Sequence, residues 1–545
     1  MFSRLTPLLR GLLGLMAVLT PLVCCEAAAQ GAGAAEVPLD RAAIAAGLCT
    51  DAGDTLDRAA DALGDASDDD LAFLRRITDA LMGRNLVCGE TVAIKSGGGT
   101  VDALTGAPVD ASGKTPVLNL RNRASAENLG AALTLLTPSS ASDRDRALRV
   151  LARRPQGVSA AALARAAEAA SDDASRAAIE ELAVVASLAS EDVSERIAAV
   201  EALARTPNRR NLGRLEALKG EPAYESDTAF RGAVDAAIGE ASTWVRVADA
   251  LSVLFSGLSY ASILFIAAVG LAIVFGLMGV INLAHGEFIM IGAYVTFMVQ
   301  EVLRALAPAL VDWYLILAIP FTFLVTAAIG VAIELLVVRH LYRRPLMTLL
   351  ATWAVSLFLV NIVRVTFGTQ NLAFATPSYI SGGFTLIGDF IVTQNRLFAI
   401  VFALVVLAAT WLILKKTPFG LNVRAVTQNR EMASAIGIAT RRVDMLAFGL
   451  GSGLAGLAGL ALAPIYNVNP LMGTNFIIES FMVVVLGGVG SLAGTLIAAL
   501  GIGQINVLIE PIWGAVAAKV IVLLLIIAFI QRRPEGLFAA PGRRK

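Results

Sequence analysis

Apolar and polar positions divide the chain into two unlike stretches. From about residue 36 to 246 they alternate at short spacing, rich in Ala, Asp and Arg, and no apolar run there is long enough to span a bilayer. From 251 to 531, apolar segments follow one another across short loops. Spanning needs roughly 20 apolar residues, and 314–338, 346–367, 397–414 and 443–465 meet or approach that length. The pattern predicts an all-α polytopic membrane protein of about eight or nine crossings, preceded by a mostly α-helical soluble domain.

In the first stretch, Ala147, Leu148, Leu151 and Ala152 fall on one helix face, as do Ile197, Val200, Leu203 and Ala204. The segments 145–153 and 195–205 resemble each other, and between them 171–188 opens with Ser-Asp-Asp, good N-terminal cap chemistry. Repeated helical pairs predict a short HEAT-like stack. Residues 92–122 break the helical pattern with β-branched residues and predict a hairpin. The run Lys95-Ser-Gly-Gly-Gly-Thr100 is no phosphate loop, because the Lys precedes the glycines and no strand-to-helix frame surrounds it.

Charge placement orients the second stretch. Arg339, Arg343 and Arg344 form one basic cluster, and Lys415, Lys416, Arg424, Arg430, Arg441 and Arg442 a second. Arg532, Arg533, Arg543, Arg544 and Lys545 form a third, and all three should be cytoplasmic. The charge-poor loops 368–394 and 466–475 should face the other side. Three candidate crossings precede Arg339, which puts the N-terminal domain outside. Residues 477–531 read either as three short helices or as two flanking a re-entrant piece.

The first residues agree with that orientation. Arg4 and Arg10 form a basic region ahead of an apolar run at 11–23, and Ala27-Ala28-Ala29 offers a small-residue cleavage site. Residues 1–29 therefore read as a signal peptide, with a retained anchor as the alternative. Of the four cysteines, Cys24 and Cys25 lie in that leader. Cys49 and Cys88 are then either a disulfide, which an oxidising compartment favours, or two buried thiols.

Candidate chemistry narrows the picture further. Asn282-Leu-Ala-His-Gly-Glu287 interrupts the apolar run between 251 and 302 and holds one of only two histidines in 545 residues. Ionisable groups at bilayer depth mark functional sites by default, and irregular backbone there survives only where protein or a watery cavity covers it. The segment reads either as part of a permeation path or as a mutually satisfied polar pair that ends a helix near the cytoplasmic face. Thr352, Ser356, Asn361, Asn467 and Asn469 are further polar candidates in or beside apolar segments. No Walker A sequence, nucleophile elbow, zinc-protease helix or Cys/His metal spacing occurs, and no basic patch with interleaved aromatics points to nucleic acid. In the loop 417–437, Asn429 caps a short helix start, Glu431 sits near its N-terminus and Gly437 stops it. That loop is either a docking element for a partner or a solvated connector.

The run 270–294 around that break resembles the signature of permease subunits of branched-chain amino-acid type ABC importers. The loop 417–437 is similar to their coupling loop, and Leu486-Gly-Gly-Val-Gly-Ser-Leu-Ala-Gly-Thr495 to their late glycine-rich segment, so the resemblance covers about 250–535. It implies a subunit of the bacterial inner membrane that is not itself an enzyme. It also implies a second homologous permease subunit, two cytoplasmic ABC ATPases, a periplasmic substrate-binding protein and contact with membrane lipid, with no cofactor, metal or nucleic acid. Carried over, Asn282, His285, Gly286 and Glu287 line or support the path, and Glu431, Ala433, Ala435 and Gly437 contact an ATPase. The glycine run 487–494 reads first as packing. The expected division is a leader at 1–29, an extracytoplasmic domain at 30–246, the permease domain at 247–535 and a basic tail at 536–545. The added domain resembles the urea-uptake branch of this family, so urea or a short-chain amide is the expected cargo. A branched-chain amino acid is the alternative, and a membrane-anchored sensor or scaffold the third reading.

Overall fold

Local capping chemistry starts most of the helices. The computed structural model describes residues 39–538 apart from 97, 98, 138, 139, 171, 343 and 373. The expected leader at 1–29, with Cys24 and Cys25, lies outside the described residues. So do Arg343 and most of the basic tail, Arg543, Arg544 and Lys545 included. The chain divides into two units, one up to Ala199 and one from Val200 onward.

The first unit holds helices α1 (Arg41–Thr50), α2 (Ala52–Asp61) and α3 (Asp68–Met82), then strands β1 (Leu86–Cys88), β2 (Val92–Ser96) and β3 (Gly99–Asp102). Helices α4 (Leu120–Leu136), α5 (Ala141–Leu151), α6 (Ala160–Glu168) and α7 (Asp173–Ser187) follow, and α8 (Val193–Arg205) crosses into the second unit. Helix α3 shows the logic. Ser67 accepts from the Asp70 amide while Asp70 accepts from the Ser67 amide, and three aspartates sit in the first turn, where the helix dipole favours negative charge. Leu71, Leu74, Ile77, Thr78 and Leu81 then line its buried face at helical spacing, packed among Leu56, Leu63, Leu129 and Leu163. The carboxyl of Asp70 is held below the usual range, where burial alone would raise it, by hydrogen bonds from Ser67 and Arg41. Helix α7 is capped by Asp172, whose side chain accepts from the Ser175 amide. The expected hairpin is β2–β3, antiparallel with Ile94 opposite Val101, and β1 adds a strand that the sequence did not announce. Ala152 falls just past the end of α5 and is exposed, unlike Ala147 and Leu151 on the same expected face.

Cys49, in the last turn of α1, is joined to Cys88 at the end of β1, with Cα atoms 5.7 Å apart.

The second unit begins with α9 (Arg209–Ala217) and α10 (Pro222–Ser226), then α11 (Thr228–Met278). At 51 residues, α11 is about 76 Å long, more than twice the hydrocarbon thickness of a bilayer. Its first part carries Arg231, Asp235, Glu240, Arg246 and Asp249 around a buried stripe of Phe230, Val234, Ala237, Ala241, Val245 and Ala248. From Ala261 to Val274 it is buried on all sides. One helix therefore runs unbroken through 246–247, where the composition changes.

The remaining apolar helices are α12 (His285–Leu306), α13 (Tyr314–Leu336), α14 (Pro345–Phe367), α15 (Gln394–Lys416), α18 (Thr440–Leu462), α19 (Met472–Gly487) and α20 (Leu492–Arg532). Between α14 and α15 lies the hairpin β4 (Gly383–Ile387) and β5 (Phe390–Thr393), and after α15 come α16 (Pro418–Gln428) and α17 (Arg430–Ala435). The protein is a helical polytopic membrane protein with an N-terminal helical region. Among the described residues, seven helices are long and apolar enough to cross a membrane, and α19 is a shorter apolar one. Gly514, with φ 81°, breaks α20 into two helical pieces, so the 477–531 region holds three helical segments. Helices α11 and α18 are enclosed by protein, while α13, α14, α15 and α20 leave an apolar side bare, including Leu324, Phe358, Leu404 and Leu524.

The disulfide closes a sequence separation of 39 residues, which the loop-entropy relation values at about 4 kcal/mol. Replacing both Cys49 and Cys88 by Ala should lower the temperature at which a protease cuts within 39–199 in the full-length membrane-embedded protein. The cleavage temperature of segments 253–530 should stay put.

Candidate translocation site

The bend at 279–284 exists because α11 cannot continue past Gly279. That residue adopts a left-handed conformation, φ 66°, which favours glycine, and its amide closes the helix on the Phe275 carbonyl. Asn282 then folds its own loop, its side-chain oxygen accepting from the Ala284 amide at 3.0 Å, and α12 starts at His285. The bend is covered by protein: Asn282 is 1% exposed, His285 0% and Glu287 2%.

His285 and Glu287 do not pair with each other. Nε2 of His285 is 3.0 Å from the Ala267 carbonyl, and since a carbonyl only accepts, this nitrogen carries the hydrogen. Glu287 accepts from the Ser356 hydroxyl at 2.9 Å, and its other oxygen is turned towards Gly473 and Thr474. Thr352 accepts from the Leu283 amide at 3.2 Å. The reading of a mutually satisfied pair is therefore corrected: each group is answered by a different helix, α11 or α14. The side-chain amide nitrogen of Asn282 and Nδ1 of His285 have no hydrogen-bond partner among the described residues. Buried polar atoms usually have one, and a path that carries water or a polar cargo would supply it.

Thr352 and Ser356 thus join the bend, one turn apart on α14. Asn361 does not: it is exposed, and its amide donates to the Leu357 carbonyl of its own helix at 2.8 Å. Asn469 likewise serves its own loop, accepting from the Leu471 amide at 3.0 Å.

Glycines let the helices meet here at backbone distance. A Cβ on Gly286 would collide with the carbonyl of Gly473 and with Ile477, which locks α12 to α19 beside Glu287. Cβ atoms on Gly270 and Gly451 would each meet the other's carbonyl, joining α11 to α18. A Cβ on Gly292 of α12 would meet the Gly456 carbonyl of α18, one on Gly459 the Ile289 carbonyl of α12, and one on Gly456 the Thr326 side chain of α13. The 487–494 run behaves as packing: Gly487 abuts Gly494, and Gly490 abuts Gly276.

At the other predicted site, Thr417 caps α16 and Asn429 caps α17, accepting from the Met432 amide at 2.9 Å. Gly437 follows with φ 93°. Ala433 is buried, whereas Glu431, Ala435 and Gly437 are exposed beside the bare apolar side chains of Met432 and Ile436. Sequence reasoning missed what holds this piece. Arg430 forms an ion pair with the fully buried Asp444 of α18, and its guanidinium lies 5.5 Å over the Tyr342 ring. The Tyr342 hydroxyl donates at 2.8 Å to Glu334 of α13, itself fully buried and 3.2 Å from Arg339. The available signal was a carboxylate inside each of two otherwise apolar runs.

The model of a family described as branched-chain amino acid transport system, permease component, matches residues 253–530. The chain is similar to the high-affinity branched-chain amino acid transport system permease protein LivH of Escherichia coli K12. The two are 31% identical over 304 residues, which is 54% of this chain and 97% of that protein. It is also similar to the corresponding permease BraD of Pseudomonas aeruginosa, 28% identical over 299 residues with the same two coverages. A shorter similarity links it to the ribose import permease RbsC of Bacillus subtilis, 35% over 103 residues, covering 18% of this chain and 32% of that one. No solved structure gives a significant match.

The glycine contacts set a test. Gly459→Leu should cost at least about 1–3 kcal/mol through overpacking against Ile289, and the yield of detergent-extracted, monodisperse protein should fall sharply. Gly501→Ala, where nothing lies within 4 Å, should extract like the wild type.

Proposed function

This chain belongs to the family of branched-chain amino acid transport system permease components, the non-enzymatic membrane subunits of ABC transporters, and on that premise we propose that its cargo is a branched-chain amino acid. The observation that carries this is the 31% identity to an amino-acid permease over nearly that protein's whole length. It favours what the sequence offered as the alternative over urea.

Energy comes from partner ATPases, which dock on α16–α17 through Glu431, Ala435, Met432 and Ile436. The exposed apolar pair there supports that reading, since such side chains in a capped surface helix want a groove on a partner. The Arg430–Asp444 pair, buried at its Asp444 end, would carry motion of that docking helix into α18. A second permease subunit and an external binding protein complete the assembly. The Asn282–Glu287 bend, with Thr352 and Ser356, serves as the inner gate of the path.

The charge-poor loop 368–394 supports an extracytoplasmic position for the N-terminal region. Its hairpin rests on α11 and α9: Phe390 and Val392 pack with Ala248 of α11, and Asp389 accepts from the Arg209 amide of α9 at 2.7 Å. The helical unit ahead of it would be a HEAT-like docking element for the binding protein. The stretch matched by LivH covers just over half of this chain, so this unit lies beyond what that relative supplies. That observation favours a second reading, urea or a short-chain amide, through the domain arrangement.

Purified complex carrying this chain, its ATPases and its binding protein should accumulate radiolabelled leucine in proteoliposomes only with ATP. Gly437→Trp, forced into a left-handed conformation that costs a non-glycine residue about 1–2 kcal/mol, should release the ATPases and abolish uptake. ATP-dependent urea uptake without leucine uptake would establish the second reading. Cargo entry without ATP would defeat both.

A further inference from the structure

A carboxylate that neither the bend nor the docking helix uses lies halfway along α19. Glu479 is 1% exposed in a helix whose neighbouring residues are Phe476, Ile477, Ile478, Phe481 and Met482. One oxygen accepts from the Tyr260 hydroxyl of α11, and the other is 3.2 Å from Nζ of Lys519 on α20. The Lys519 side chain is 44% exposed, while Glu479 is enclosed. Next to Glu479, the hydroxyl of Ser480 is fully buried with no hydrogen-bond partner among the described residues. The Tyr260 ring lies 6.2 Å from Phe476, which meets Tyr466 edge-on at 6.0 Å, so an aromatic wall stands beside the charges.

The helices have no need of this ion pair to dock. Gly503 of α20 already meets Ala261 of α11 at backbone distance, Gly487 meets Gly494 between α19 and α20, and Gly473 meets Gly286 between α19 and α12. Replacing a buried pair by apolar side chains is often neutral or stabilising, and ionisable groups inside membrane helices mark substrate or ion paths. The Lys519 segment also begins at the Gly514 break, and interrupted helices near mid-membrane are where transporters bind cargo.

We propose that Glu479, Tyr260 and Lys519 form a cargo-binding subsite. Glu479 accepts the N–H groups of the cargo, Lys519 swings from Glu479 to the adjacent carbonyl or carboxylate oxygen, and the Phe476–Tyr466 wall receives the remainder. An amino acid and an amide such as urea share that N–H and oxygen chemistry. The assignment rests on the importer reading above.

In the reconstituted complex, Glu479→Gln should raise the half-saturating concentration for uptake about tenfold or more, the worth of one hydrogen bond to a charged group. The loss should fall on half-saturation rather than maximal rate, with the ATPases still co-purifying, whereas a structural pair would lower yield and rate together. Radiolabelled leucine and urea are the two arms. With leucine, Lys519→Met should match the effect of Glu479→Gln, because a full carboxylate loses its cation. With urea it should cost only a few-fold. Unchanged half-saturation in Glu479→Gln overturns the subsite and leaves the importer reading intact. Should that variant not assemble, unchanged half-saturation in both Tyr260→Phe and Lys519→Met overturns it equally. A wild-type complex that carries neither cargo with ATP overturns the importer reading and the subsite with it.

Discussion

The membrane half depends on backbone touching backbone. Lipid tails are as apolar as leucine, so helices in a bilayer gain little by hiding apolar side chains from it, and close packing has to hold them together. Here α18 supplies the surface: Gly451 meets Gly270 of α11, and Gly456 and Gly459 meet Gly292 and Ile289 of α12. These contacts fix α11 and α12 on either side of one helix, and the bend that joins them must then fall where it does. Gly286 against Gly473 adds α19 to the same cluster. His285 sits in a notch of this kind, its ring 3.1 Å from where a Cβ on Gly270 would stand. The site is a consequence of the packing, because only glycines leave room for the imidazole beside the Ala267 carbonyl.

Polar groups in this half follow one rule of placement. Glu287, Glu334, Asp444 and Glu479 are all nearly or fully buried, and each is answered by a hydroxyl, a cation or both from another part of the chain. Glu334 and Asp444 are tied by Arg339 and Arg430, residues of the basic clusters read as cytoplasmic. Glu287 and Glu479 contact residues within spans. The first pair therefore sits with the basic clusters and the second inside the helix bundle.

How much of this was legible in the sequence depended on range. Caps and stops were local, so Asn429, Gly437 and the break at Asn282–Glu287 could be read from short stretches. Apolar run length gave the spans, because a bilayer imposes one length on all of them. Partners were not legible. Nothing near His285 in the chain points to Ala267, and nothing near Glu287 points to Ser356, since these meet only when three helices are packed. Asn361 failed for the related reason that a polar residue in an apolar run can satisfy itself on its own helix. Glu479 lies as a carboxylate within an apolar run and Asp444 at the head of one, but neither carries a local pattern that names its partner. Cargo was the least legible feature, because domain arrangement pointed to urea while sequence identity points to amino acids.

The unbroken α11 gives this half a lever. It contains no proline, Phe390 and Val392 of the hairpin pack with Ala248 in its first half, and its far end terminates at the Gly279 bend. A continuous helix resists bending, because each kink would have to give up backbone hydrogen bonds. A few degrees of tilt imposed at Thr228 would thus be carried along the rod to Ala267, whose carbonyl holds His285. Whatever grips the Thr228 end of this rod has mechanical access to the Asn282–Glu287 bend at the other.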